Sequence, residues 1–224
     1  MLDDPIWSAL ITEHARFSEG SGLAKRYAAD ISTFAGTVDQ SEAARAALRA
    51  LVPAGGRVAL FAPETIAPPP GLEIERTASM EQMTARQEPP AEAPCTDIDS
   101  LSAVDAEEMG ALAALTNPGP FGARTHVLGR FVGIRVNEQL VAMAGERLRF
   151  TGHVELSGIC VHPAHRRKGY ARLLIAAVVR RAMQEGLVPF LHVYSDNAAA
   201  IALYKRLNFE VRRQLRVTML RHTQ

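Results

Sequence analysis

The sequence predicts an α/β protein of the α+β kind, a mixed sheet carrying helices, with a smaller α/β unit at its N-terminus. Three observations carry that expectation. From residue 131 onward, two hairpin-like apolar runs lead into strand, helix, strand and helix, an order that suits a mixed sheet. Tyr170, Leu173, Leu174, Ala177 and Val178 recur at spacings of 3, 4, 7 and 8, the stripe of an amphipathic helix. Between about 85 and 96 the composition breaks, and Arg-Gln-Glu-Pro-Pro-Ala-Glu-Ala-Pro-Cys reads as a linker. The expected units are therefore residues 1–90 and 96–224.

In the first unit, Glu42–Leu51 is built of strong helix formers behind Ser41, a plausible cap. Residues 57–61 read as a short buried strand, and Ala67-Pro68-Pro69-Pro70-Gly71 breaks the chain after it. No catalytic motif occurs there. In the second unit, residues 105–115 are helical and end at Asn117-Pro118-Gly119-Pro120. Strands are expected at Phe131–Val136 and 140–148, joined by a hairpin at Asn137-Glu138-Gln139. His153–Val161 is a third strand, and residues 170–185 a helix with Gly186 at its C-cap. A strand at 188–193 and a helix at 198–207 follow, the helix capped by Asp196 or Asn197. Residues 212–220 supply one or two closing strands.

With 224 residues, 47% hydrophobic and 22% charged, the chain has an ordinary globular composition. The acidic opening residues lack the basic-then-apolar pattern of a secretory leader. The apolar run at 173–179 is far too short to span a membrane. Cys95 and Cys160 are two and widely separated, so neither a disulfide framework nor a metal site is expected, and a reducing cytoplasm is the expected setting. The formal charge of +1 hides an asymmetry: residues 1–95 carry 8 Lys/Arg against 13 Asp/Glu, and residues 96–224 carry 17 against 11. A basic half suits a polyphosphate ligand. Nucleic acid is not expected, because the cations gather at one loop without interleaved aromatics.

Residues 161–174 read Val-His-Pro-Ala-His-Arg-Arg-Lys-Gly-Tyr-Ala-Arg-Leu-Leu. An apolar strand thus enters a basic, Gly-containing loop and leaves it as a helix. That arrangement presents backbone N–H groups and a helix N-terminus to a phosphate. Gly169 lets the backbone approach a ligand closely. The loop lacks the Gly-x-x-x-x-Gly-Lys spacing of a nucleoside-triphosphate loop. A second segment, residues 197–209, reads Asn-Ala-Ala-Ala-Ile-Ala-Leu-Tyr-Lys-Arg-Leu-Asn-Phe.

Together the two segments resemble those of the GNAT acyltransferase superfamily. Arg166, Arg167, Lys168, Gly169, Tyr170 and Ala171 fit its Gln/Arg-x-x-Gly-x-Gly/Ala loop, and Asn197, Ala200, Tyr204 and Phe209 are in register with its second segment. Asn208 stands where the superfamily has Gly, a change a left-handed helix stop tolerates. The likeness spans residues 97–221. It implies the GNAT fold, with an N-terminal half similar to that of the glycine N-acyltransferase-like branch, itself a degenerate half GNAT unit. It further implies binding of acetyl-CoA or CoA, with transfer to a small-molecule or peptide amine. Arg166 to Ala171 would cradle the diphosphate, the backbone of Ile159, Cys160 and Val161 would pair with pantetheine, Asn197 would contact the pantetheine arm, and Tyr204 would protonate the departing thiolate.

The amine must attack unprotonated. At pH 7 that costs roughly 4.6 kcal/mol for a lysine-like amine of pKa ~10.4, and about 1.2 kcal/mol for an α-amine near ~7.8. Glu155, eleven residues ahead of Arg166, resembles in its spacing the strand glutamate that some superfamily members use as base, and is favoured. His192 is the alternative; it stands where the ribosomal-protein alanine acetyltransferase branch has a catalytic Glu. Cys160 is read as a small core residue rather than a nucleophile. Phe121, Arg124 and His126 are expected to shape the acceptor pocket. The competing class is a CoA-sensing module without catalysis.

Overall fold

The structure, a computed structural model, describes residues 1–91 and 96–223. Residues 92–95 of the expected linker, Cys95 among them, lie outside the described residues.

The N-terminal half contains α1 (Pro5–Ile11), a small antiparallel sheet of β1 (Ser18–Gly20), β2 (Ala24–Tyr27) and β3 (Ala35–Thr37), then α2 (Glu42–Leu51), β4 (Arg57–Ala62) and the long β5 (Leu72–Ala85). Ser41 caps α2, its side chain accepting from Ala44 N. The second half runs β6 (Asp99–Leu101), α3 (Ala106–Thr116), β7 (Phe131–Val136), β8 (Gln139–Phe150), β9 (His153–Val161), α4 (Tyr170–Gln184), β10 (Val188–Tyr194), α5 (Ala198–Arg206) and β11 (Phe209–His222). Left-handed backbone angles at Asn137 and Glu138 (φ 51° and 65°) form the β7–β8 turn. Asn117, also left-handed, stops α3, and Gly186 follows α4 with φ 74°. Asn208 adopts φ 64° after α5, the angle its substitution for Gly requires.

The main sheet has eight strands in the order β4-β11-β5-β10-β9-β8-β7-β6. Its one parallel pair is β9 with β10; the other neighbours are antiparallel. The two halves share this sheet. β5 belongs to the N-terminal half, yet it lies between β10 and β11 and pairs with β11 from Phe209↔Ala85 to His222↔Leu72. The sequence reading had no strand at 72–85, because its Glu, Arg, Thr and Ser residues obscure the alternation that strands usually show. Residues 209–222 form one continuous strand.

Alternate residues of each strand face opposite layers. On one face, Leu174, Ile175, Val178 and Val179 of α4 pack on Val141, Leu156 and Leu191. On the other, Ile6 and Leu10 of α1 join Phe34, Phe61, Met80, Phe150 and Phe190. The N-terminal half therefore covers the sheet face that α4 leaves open. Full burial of each Leu, Ile or Phe contributes on the order of 1.5–3 kcal/mol, so both layers hold the sheet rigidly around the β9–β10 pair.

Candidate active site

β9 and β10 pair only at Val188↔His153, Pro189↔Val154 and Phe190↔Glu155. Beyond Glu155 they diverge, and among the described residues no strand pairs with the β10-facing edge of residues 157–161. Gly158, at φ 62°, sits in a bulge where the β8–β9 register shifts between Cys160 and Ser157. A Cβ there would stand 3.0 Å from the Phe131 ring. A cleft of about 1390 Å³ opens along this splay, lined by Ile159, Cys160 and Val161 on one side and by Asn197 and Tyr204 on the other.

The cleft continues along the loop that follows β9. A short 3-10 turn (Pro163–His165) is capped by His162, whose Nδ1 accepts from Ala164 N. Arg167 and Gly169 then adopt left-handed angles, φ 64° and 85°. α4 starts at Tyr170 with no side-chain cap. As a result, the backbone N–H groups of Arg167, Lys168, Gly169, Tyr170 and Ala171 have no acceptor among the described residues. Consecutive free amides, alternating backbone hand and the positive end of α4 together favour an anion. Arg166 and Arg167 line the cleft beside them and pair with no carboxylate among the described residues. Lys168 is placed differently: it is off the cleft wall, its Nζ 3.5 Å from His165 Nδ1.

Tyr204 is nearly buried and packs edge-on against Phe209 at 6.0 Å. Burial pushes its hydroxyl up to about 12, so it stays a protonated donor at neutral pH. Asn197 caps α5 by accepting from Ala200 N at 3.1 Å, which orients its side chain at the cleft edge. Burial also pushes the Cys160 thiol up; a nucleophile needs the opposite shift.

Behind the cleft wall lies a buried ionic network. Glu155 is fully buried and accepts two hydrogen bonds from Arg147, at 2.8 Å and 2.6 Å. His192 Nδ1 stands 2.7 Å from Glu155 Oε1. Burial alone would raise the Glu155 carboxyl, but the charge and hydrogen bonds of Arg147, with His192, hold it down at about 2. On the far side of the ring, Gln82 Nε2 lies 3.1 Å from His192 Nε2 and 2.8 Å from the Leu2 carbonyl, while Arg212 donates to Gln82 Oε1 at 2.8 Å. Arg212 can only donate, so the Gln82 oxygen faces it and the amide NH₂ faces His192. Nε2 of His192 must then accept, and Nδ1 carries the hydrogen given to Glu155. Arg147 and His192 line the cleft; Glu155 does not.

Glu155 is the expected base; in the structure both its oxygens are engaged and it has no surface on the cleft. Phe121, Arg124 and His126 are the residues expected at the acceptor pocket. Phe121 packs on Phe131, Arg124 pairs with Asp30, and His126 lines a separate small hollow with Arg130 and Arg181. None of the three lines the main cleft, because the chain turns after Pro120 and ties itself to Asp30 and Ile31 of the N-terminal half. Arg147, Gln82 and Arg212 were missed. Only Arg147 left a signal, a charged pair, Glu146-Arg147, inside an otherwise apolar strand. Among the described residues no group of three His, Cys, Asp or Glu side chains is arranged to hold a metal ion. None of their helices is long and apolar enough to cross a membrane.

A mixed sheet splayed at its one parallel pair, with an amide-rich loop at the splay, defines the class as N-acetyltransferase, and the comparisons agree. The model of the acetyltransferase (GNAT) family matches residues 95–209, and the chain belongs to that family. It is similar to a protein of Novosphingobium aromaticivorans assigned as an acetyltransferase of the GNAT family, at 36% identity over 100% of this chain and 99% of that one, TM-score 0.93. A GCN5-related N-acetyltransferase from Kribbella flavida shares the fold at 18% identity, 97% and 96% coverage and TM-score 0.65. So does a functionally unknown conserved protein from Staphylococcus epidermidis, at 13% identity, 96% and 99% coverage and TM-score 0.58. No curated protein matches the chain.

Proposed function

We propose that this acetyltransferase moves an acyl group, in the first instance acetyl, from acyl-CoA to a primary amine by direct attack. One observation carries the reading: the unpaired β9 edge runs straight into five free backbone amides. An extended amide-bearing arm ending in a diphosphate fits that pair of features. The edge supplies strand-like hydrogen bonds to the arm, and the amide loop with Arg166 and Arg167 holds the diphosphate.

In the reaction, the amine nitrogen bonds to the thioester carbon, the C–S bond breaks, and the proton lost by the amine ends on the CoA sulfur. Backbone N–H groups near Ile159 to Val161 stabilise the oxyanion. Tyr204 donates to the departing sulfur. Glu155, ionised at neutral pH, fixes Arg147 and the Nδ1–H tautomer of His192, and so acts as a positioning residue for the two side chains that form the acceptor wall. Phe34, Phe61 and Met80 of the N-terminal half line the same wall.

The test combines calorimetry with turnover. Acetyl-CoA binding is expected in wild type and in Tyr204→Phe, with affinities equal within about twofold. The variant is expected to lose about 100-fold or more in kcat, as removal of a general acid does. Absence of binding heat with CoA, or a Tyr204→Phe enzyme with full kcat, would end this reading.

A further inference from the structure

Six arginines line the cleft, yet among its described wall residues there is no Asp or Glu. Arg166, Arg167 and Arg172 stand at the amide loop, Arg206 at the end of α5, and Arg147 is clasped by Glu155. Arg76 is different. It has no carboxylate partner among the described residues, although its neighbours Glu73 and Glu75 pair with Arg221 and Arg57. Its guanidinium lies 5.5 Å from the centre of the Tyr194 ring. Residues 76, 78, 80 and 82 alternate regularly along β5, so Arg76 projects from the face that bears Met80 and Gln82. That face holds the acceptor wall, away from α4 and its amide loop. Around it the wall is apolar: Phe34, Phe61, Met80, Val217 and Met219.

From this juxtaposition we propose that the acceptor is an amine with an apolar body and an anionic group, a carboxylate as in an apolar α-amino acid, and that Arg76 reads that anion. The inference rests on the N-acyltransferase reading and narrows its acceptor. A polyamine or a basic peptide tail would meet arginines and no counter-charge, an arrangement that costs affinity. The Tyr194 ring steadies the guanidinium from one side and leaves its donor edges for a bidentate pair.

The experiment compares L-phenylalanine, L-phenylalaninamide, phenethylamine and spermidine as acceptors with acetyl-CoA, by thiol release. Alongside, calorimetry on the CoA-saturated protein measures N-acetyl-L-phenylalanine against its amide. The acid is expected to exceed each of the others in kcat/KM by about 10-fold or more, the scale of a charge-assisted bond. In Arg76→Gln the KM for phenylalanine should rise about 10- to 100-fold and the acid-to-amide ratio should fall to about 1. The KM for acetyl-CoA should stay within about twofold. Equal use of acid and amide by wild type, a preference for spermidine, or an Arg76→Gln defect in acetyl-CoA rather than acceptor would overturn the proposal. Carboxylate-dependent binding without turnover would uphold it and bring down the transferase reading instead. Binding of neither N-acetyl compound, with no turnover, would overturn it.

Discussion

Replacing Arg147 by methionine is expected to cost about 3–5 kcal/mol of folding stability at pH 7, because it strips the buried Glu155 anion of its cationic partner and leaves it only the His192 hydrogen bond. Thermal or urea unfolding reads the loss, and Arg147→Met with Glu155→Leu should recover most of it, since an apolar pair of similar volume replaces the ions. The pH dependence separates this account from simple loss of packing. In the wild type the folded carboxyl lies at about 2, below the ordinary value of 4.5 for a free glutamate. Its contribution is therefore fully present above about 4.5 and is lost as pH falls toward 2. That amounts to about 3 kcal/mol across the window. In Arg147→Met, burial dominates and the folded carboxyl rises above its unfolded value. Acidification from pH 7 to 5 should then stabilise the variant while leaving the wild type nearly unchanged. A variant that loses stability over that interval would refute the ionised state assigned to Glu155.

The second large effect is expected at the amide loop. Reversing both Arg166→Glu and Arg167→Glu should weaken acetyl-CoA binding about 100-fold at low salt, because two charge-assisted contacts to the diphosphate become repulsive. Both residues are exposed, so the deficit should shrink markedly at 0.5 M salt, where the Debye length is only about 4 Å. Acetyl-pantetheine carries the thioester arm but no diphosphate. Its KM should be the same for wild type and variant. A defect shared by acetyl-pantetheine would mean that the loop serves the fold rather than the phosphate groups.

Local chemistry explains why most of the second half was predictable. His153–Val161 is an uninterrupted strand pattern, and residues 170–184 hold their apolar stripe; the structure contains both elements. Asn197 caps α5 because a short side chain at that position can reach Ala200 N within three residues. Such contacts span few positions, so the sequence expresses them directly. The basic loop before α4 was readable for the same reason, since Gly169, the preceding cations and the start of α4 are consecutive.

β5 shows where that reasoning stops. Its residues are too polar for a sequence to announce a central strand, and it becomes one because β10 and β11 pair with both of its edges. Pairing satisfies its backbone groups, and the long-range partners that do so lie about 110 to 150 residues away. The surroundings of Glu155 follow the same rule. Glu155 in sequence is a lone carboxylate on a strand, equally suited to meet an acceptor or an ion-pair partner. Arg147 across the β8–β9 hairpin, His192 on β10 and Gln82 on β5 converge on it only after the sheet is assembled. The sequence on its own determined most elements of the second half, the basic glycine-containing loop and the family likeness, because these depend on neighbours a few residues apart. Tertiary structure alone decided which side chains face the cleft and which carboxylate is neutralised behind it, because burial and charge pairing are properties of strands brought together from both halves of the chain.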